Sequence, residues 1–265
     1  MYSISDGGAY VALDNPTYGW ALTADTKPLS ELVLQRAALR VPGVHGVVAG
    51  VPATFDAPTV TFVVQTPRAN ADALVALFLN GTKFRVDGVA RFMEYEYLSH
   101  TYQSKGVADS VVDVAFTLRL PSVLWRDSEA TVTDSVTLTA ASQTIALFPS
   151  SAPIADATVR VKGPVSGLVV RSGATWFSYP TAIPAGSYLR FVAATRGAWV
   201  TTSDTWSGGT NVSGLVTCDG PNRRFEVVPV MVNPLLRNGQ VTVETATRGT
   251  GNGVQVRGRG AFYIG

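Results

Sequence analysis

The sequence predicts a mainly β protein, and three observations carry that reading. Val, Thr and Ile number 37, 28 and 5 in 265 residues, about a quarter of the chain. Their branched side chains are stiff at the first torsion and suit a pleated surface better than a helix. Apolar and polar residues alternate with period two in several segments, the pattern of a half-buried strand. Finally, 25 Gly and 15 Pro supply the turns that many short strands need. The length fits two domains or one large one.

In chain order, the segment from Asn15 to Pro58 holds weak strand signals with prolines among its turns, and it reads as a strand hairpin plus a long arm. One helix is predicted, over residues 67–79. Thr66 stands as N-cap, and Pro67 falls at the first helical position, where its missing N–H costs nothing. Leu74, Leu77 and Phe78 recur at three and four residues, and Asn80-Gly81 supplies a left-handed stop. Asp87-Gly88 reads as a tight hairpin turn between Phe84-Arg85-Val86 and Val89. Glu94 and Glu96 line a wet strand face, and His100 ends a strand. Val112, Val114, Phe116, Leu118 and Leu120 then share one face of a strand, opposite Asp113, Ala115, Thr117 and Arg119.

A domain boundary is placed near Trp125-Arg126-Asp127-Ser128, giving domains 1–127 and 128–265. The first carries 10 basic and 12 acidic residues and the only helix; the second carries 11 basic and 7 acidic residues and reads as short strands throughout. There Val159 and Val161 alternate with Thr158, Arg160 and Lys162. Val241 and Val243 follow an Asn238-Gly239 turn, and Val254 and Val256 follow the hairpin tip Gly249–Gly253.

Composition excludes several function classes. A net charge of +2 gives no basic stripe for a nucleic acid, and one cysteine cannot close a disulfide within the chain. The N-terminus shows no secretory signal, and the longest apolar run is far short of the ~20 residues that span a bilayer, so no membrane partner is expected. His45 and His100 lie far apart and read as surface residues; Cys218 reads as a half-buried structural thiol. No metal-ligand spacing, phosphate loop or hydrolase elbow is present. No catalytic residue, metal or cofactor is therefore assigned. The remaining candidate is aromatic: Trp176, Tyr179, Arg190, Trp199 and Trp206 could stack on a sugar, or the rings could pack inside a sandwich.

The order of elements resembles the distal tail proteins of long-tailed, siphovirus-like bacteriophages. The resemblance rests on the Gly-containing turn Arg40-Val41-Pro42-Gly43-Val44-His45-Gly46, and on the helix 67–79 between Phe62-Val63-Val64 and the 84–97 hairpin. It rests also on Val112 to Pro121 closing with Trp125, and on Tyr179-Pro180 leading to Ala185-Gly186-Ser187-Tyr188-Leu189. His45 departs from the family, which often has a basic residue there. The resemblance implies an N-terminal β-barrel or sandwich-like domain that builds a homohexameric ring and a C-terminal galectin-like β-sandwich. It implies a minor tail protein of the virion, made in the bacterial host cytoplasm, joining the tail tube to the tail-tip or baseplate hub. The implied partners are copies of itself, the tail tube protein, the hub protein and the tape-measure protein; a host-wall glycan is the partner that the aromatic candidates would add. The alternative reading is a carbohydrate-binding module or adhesin that contacts the host cell wall.

Overall fold

A computed structural model describes residues 1–5, 7–27, 34–35, 54–105, 110–219 and 224–263. His45, the segment 40–46, Asp109 and most of the expected arm lie outside the described residues. The fold is mainly β, with antiparallel sheets and one α-helix among the described residues. Two compact units, Met1–Trp125 and Arg126–Tyr263, divide the chain.

In the first unit, strands Val11–Ala12, Tyr2–Ser5, Lys83–Val86 and Arg91–Glu94 lie side by side in that order. A second sheet runs Ala21–Leu22, Thr59–Pro67, Val111–Arg119 and Glu96–Lys105. The alternation of the third of these is seen directly: Val112, Val114, Phe116 and Leu118 are all buried. Phe78 stacks on Phe116, while Phe84 meets Phe62 and Trp125 edge-on at 5.3 and 5.4 Å, and these rings form the core. Asp113, expected on the polar face, is also buried. It is satisfied there by Lys105 Nζ at 2.6 Å and by the Gln65 amide, which donates at 3.1 Å.

Several local expectations need correction. The helix spans Ala71–Asn80 after a 3-10 turn at Arg68–Asn70, because Pro67 remains in a strand whose ladder pairs it with Val111. Thr66 is wholly buried in that strand and caps nothing. Gly81 ends the helix in extended backbone (φ −69, ψ 146), with its N–H on Leu77 O. A glycine is needed there for space, since a Cβ would collide with the Tyr95 hydroxyl and Ile4. The Asp87-Gly88 turn is longer than a two-residue hairpin: only Gly88 has positive φ, and the return strand begins at Arg91. His100 lies mid-strand, beside the Tyr97 hydroxyl. Glu94 and Glu96 are exposed at the ends of two different strands, and Glu96 accepts from Arg119.

The second unit is a β-sandwich. One sheet runs Thr131–Val132, Gly253–Gly258, Thr158–Lys162, Tyr188–Val192, Gly197–Thr201 and Thr210–Asn211. The other runs Ser142–Pro149, Leu236–Glu244, Leu168–Ser172, Thr175–Tyr179 and Thr217–Asp219, with Pro229–Asn233 paired to the second of these. Val159, Val161, Leu189, Phe191, Val254 and Val256 of the first sheet face Val170, Phe177, Val241 and Val243 of the second. Phe177 and Phe191 stack at 4.0 Å, and Phe225 meets both edge-on. Asn238-Gly239 is not a turn. Both residues lie inside a strand, where Asn238 pairs with Pro149 and Val230, and the chain reverses between Asn233 and Leu236. Tertiary pairing here overrides a strong local turn preference.

Candidate functional site

The outer face of the first sandwich sheet carries a cluster of charged and aromatic side chains. Alternation sends Val159 and Val161 into the core and turns Arg160 and Lys162 outward. The same rule turns Tyr188 and Arg190 outward from Leu189 and Phe191. The ladder register then sets Gln255, Arg160, Arg190, Trp199 and Asn211 in one row across five strands. The next row holds Gly253, Lys162, Tyr188 and Thr201.

Two arginines directly opposite each other are unfavourable unless compensated. The segment that follows strand Gly197–Thr201 supplies the compensation by folding over them. Asp204 Oδ1 accepts from Arg160 Nη1 at 2.6 Å, and Gln255 Oε1 accepts from Arg160 Nη2. The Trp206 ring covers the same guanidinium, 4.5 Å from centroid to carbon, with Tyr188 at 5.2 Å. Arg190 lies 4.7 Å from the Trp199 centroid and donates to the carbonyls of Trp206 and of Gly208, the latter at 3.1 Å. Both arginines are more than nine-tenths buried, so these contacts replace water that the guanidiniums have lost.

Beside this strap lies a hollow of about 260 Å³, lined by Ser135, Arg160, Lys162, Tyr188, Asp204, Gly253 and Gln255. A hollow of about 440 Å³ in the first unit, beside Arg68, Asp72 and Tyr102, contains no buried charge.

The five residues singled out from sequence separate. Arg190, Trp199 and Trp206 come together. Trp176 lies on the other sheet, with Arg171 over its ring at 5.8 Å. Tyr179 is only 3% exposed, because its position in strand Thr175–Tyr179 turns the ring into the core, out of reach of a sugar. Arg160, Lys162, Tyr188, Asp204 and Gln255 were missed as site residues. Thr158-Arg160-Lys162 was visible as a wet strand face, but nothing local links it to Asp204. Cys218 is a free, half-buried thiol paired across the ladder with Phe177, and burial pushes its pKa up. Among the described residues, no group of three or more His, Cys, Asp or Glu is placed to hold a metal, and no helix is long and apolar enough to cross a membrane.

No protein-family model and no curated protein matches the sequence. Solved structures do. The phage P2 baseplate in its activated conformation with Ca includes a chain with 11% identity and a TM-score of 0.43, covering 100% of this chain and 99% of that one. The phage p2 baseplate in its activated conformation with Sr gives 12% identity and a TM-score of 0.41, covering 97% of each chain. SPP1 Dit (gp 19.1), described as a paradigm of the hub adsorption apparatus in phages infecting Gram-positive bacteria, gives 11% identity and a TM-score of 0.63, covering 99% of both chains. This chain therefore shares its overall fold with SPP1 Dit.

Proposed function

We propose that the chain is a structural, non-enzymatic component of a bacteriophage tail tip. It forms a homohexameric ring that joins the tail tube to the tail-tip or baseplate hub. The observation that carries this reading is the fold shared with SPP1 Dit over 99% of both chains. In this reading the first domain makes the ring contacts and the second is a galectin-like peripheral domain. The partners are further copies of the chain, the tube protein, the hub protein and the tape-measure protein. The product is located in the virion tail, after synthesis in the cytoplasm of a bacterial host.

Two physical features support it. Strand Glu96–Lys105 is a ten-residue sheet edge whose side chains are mostly exposed, Leu98 and Tyr102 among them. Such an edge invites pairing with another chain unless something covers it, and a neighbouring copy would do so. Charged residues are only 15% of the sequence, which suits surface buried in permanent interfaces. Head-to-tail contacts that close on rotation generate a ring. Electron microscopy of the purified chain, and of tails carrying it under an antibody label, tests the reading. A sixfold ring in either sample is expected. Monomers in solution together with no label at the tail tip would overturn it.

A further inference from the structure

From the hollow beside the strap, we infer a binding site for an acidic saccharide unit, a sugar bearing a carboxylate or a phosphate. Its volume of about 260 Å³ is the scale of one sugar ring with its substituent. Its lining is rich in groups that match sugar hydroxyls: the exposed Asp204 carboxylate, the Gln255 amide and the Ser135 hydroxyl. The Tyr188 hydroxyl has no hydrogen-bond partner among the described residues, so it is available to a ligand. Gly253 keeps the floor low: a Cβ there would stand 2.7 Å from Ser135 Oγ and push that side chain aside.

Charge fixes the class of sugar. Asp204 neutralises Arg160, and Gln255 and Trp206 complete its surroundings. Lys162 is different. Its ammonium lies 5.9 Å from the Tyr188 centroid and has no carboxylate partner among the described residues. The hollow therefore sets two cations, Arg160 and Lys162, against one carboxylate, Asp204, and an anionic substituent answers the surplus positive charge. Arg160 and Arg190 act as positioning residues, because their donors hold the strap that forms one wall.

The site belongs to the second unit alone and stands whether or not the chain forms a ring. The test is an NMR titration of the full-length, isotope-labelled chain with glucuronic acid, glucose 1-phosphate, glucose and inorganic phosphate. Saturable shifts at Lys162, Tyr188, Asp204 and Gln255 are expected with an acidic sugar, and the better of the two acids identifies carboxylate or phosphate as the preferred group. Binding should exceed that of glucose and of inorganic phosphate by about fivefold, the upper range for a partly exposed ion pair. Lys162→Gln should reduce it to the glucose level, while Trp176→Ala on the other sheet should leave it unchanged. The inference fails if neither acid saturates, if glucose or phosphate alone binds as tightly, if Lys162→Gln has no effect, or if Trp176→Ala abolishes binding.

Discussion

Replacing Asp204 with alanine isolates the force that closes the strap. Its carboxylate stands 2.6 Å from a guanidinium that is 7% exposed, while the carboxylate itself is 65% exposed. A fully exposed pair is worth about 0.2–1 kcal/mol. Stripping one partner from a fully buried pair costs about 3–5 kcal/mol. With one member buried and the other in water, a loss of about 1.5 kcal/mol is expected, taken between those limits. Arg160 would then face Arg190 across the ladder with no carboxylate beside it. In a domain of this size the loss corresponds to roughly 4–6 °C of melting temperature. Guanidinium unfolding followed by tryptophan fluorescence measures it, because Trp206 lies on Arg160 and Trp199 on Arg190. The decisive form is a double-mutant cycle with Arg160→Gln, whose coupling should reach about 1 kcal/mol. Strict additivity of the two changes would refute the claim that this pair closes the strap.

Phe177→Ala empties the centre of the second core, where the ring is 0% exposed and touches Phe191 and Phe225; a loss of about 3–5 kcal/mol is expected in chemical denaturation. Gly81→Ala forces a Cβ against Tyr95 and Ile4 and should cost about 1–3 kcal/mol by the same measurement, whereas a mere helix stop would tolerate it. Burial raises the Tyr95 pKa above its ordinary 10.0, so its contribution is fully present below about pH 10 and is lost as pH rises from there through the folded value. Tyr95→Phe also removes the hydrogen bond donated to Phe78 O at 3.1 Å, at about 1 kcal/mol near neutrality. The same variant should show a shallower fall of stability above pH 10; an unchanged alkaline slope would contradict the assigned cause.

The strands that alternate cleanly were legible, because one wet and one dry face leave a period-two record. Val112 to Leu118, Val159 with Val161, Val241 with Val243, and Val254 with Val256 all bury the apolar set. The existence of the helix was legible too, but its start was not. Thr66-Pro67 satisfies the local rules of a helix N-terminus, yet the ladder with Val111 and Val112 takes both residues into a strand. Asn238-Gly239 misleads for the same reason: its pairing partners, Pro149 and Val230, are remote or follow a different reversal. The site was half legible. Arg190, Trp199 and Trp206 were found from proximity of rings and charge along the chain. Arg160 and Asp204 are 44 residues apart, and only the sheet register joins them. Tyr179 shows the opposite failure, since a ring two residues from Phe177 shares its inward face.

One of the two arginines that hold the strap grips backbone carbonyls. Arg190 donates to Trp206 O and Gly208 O, atoms that every amino acid presents at those positions. The positive φ of Gly208 and Gly209 fixes where the backbone turns back to the sheet. Thr202, Ser203 and Ser207 are exposed and their side chains lie outside these contacts to Arg190, whereas the Thr205 hydroxyl donates to Ser207 O at 2.8 Å within the strap. Segment length and its two glycines are thus constrained far more tightly than the identity of the Thr202, Ser203 and Ser207 side chains. They form a natural cassette: lineages could diversify the rim of this face, and an engineer could randomise it, without renegotiating the sheet beneath.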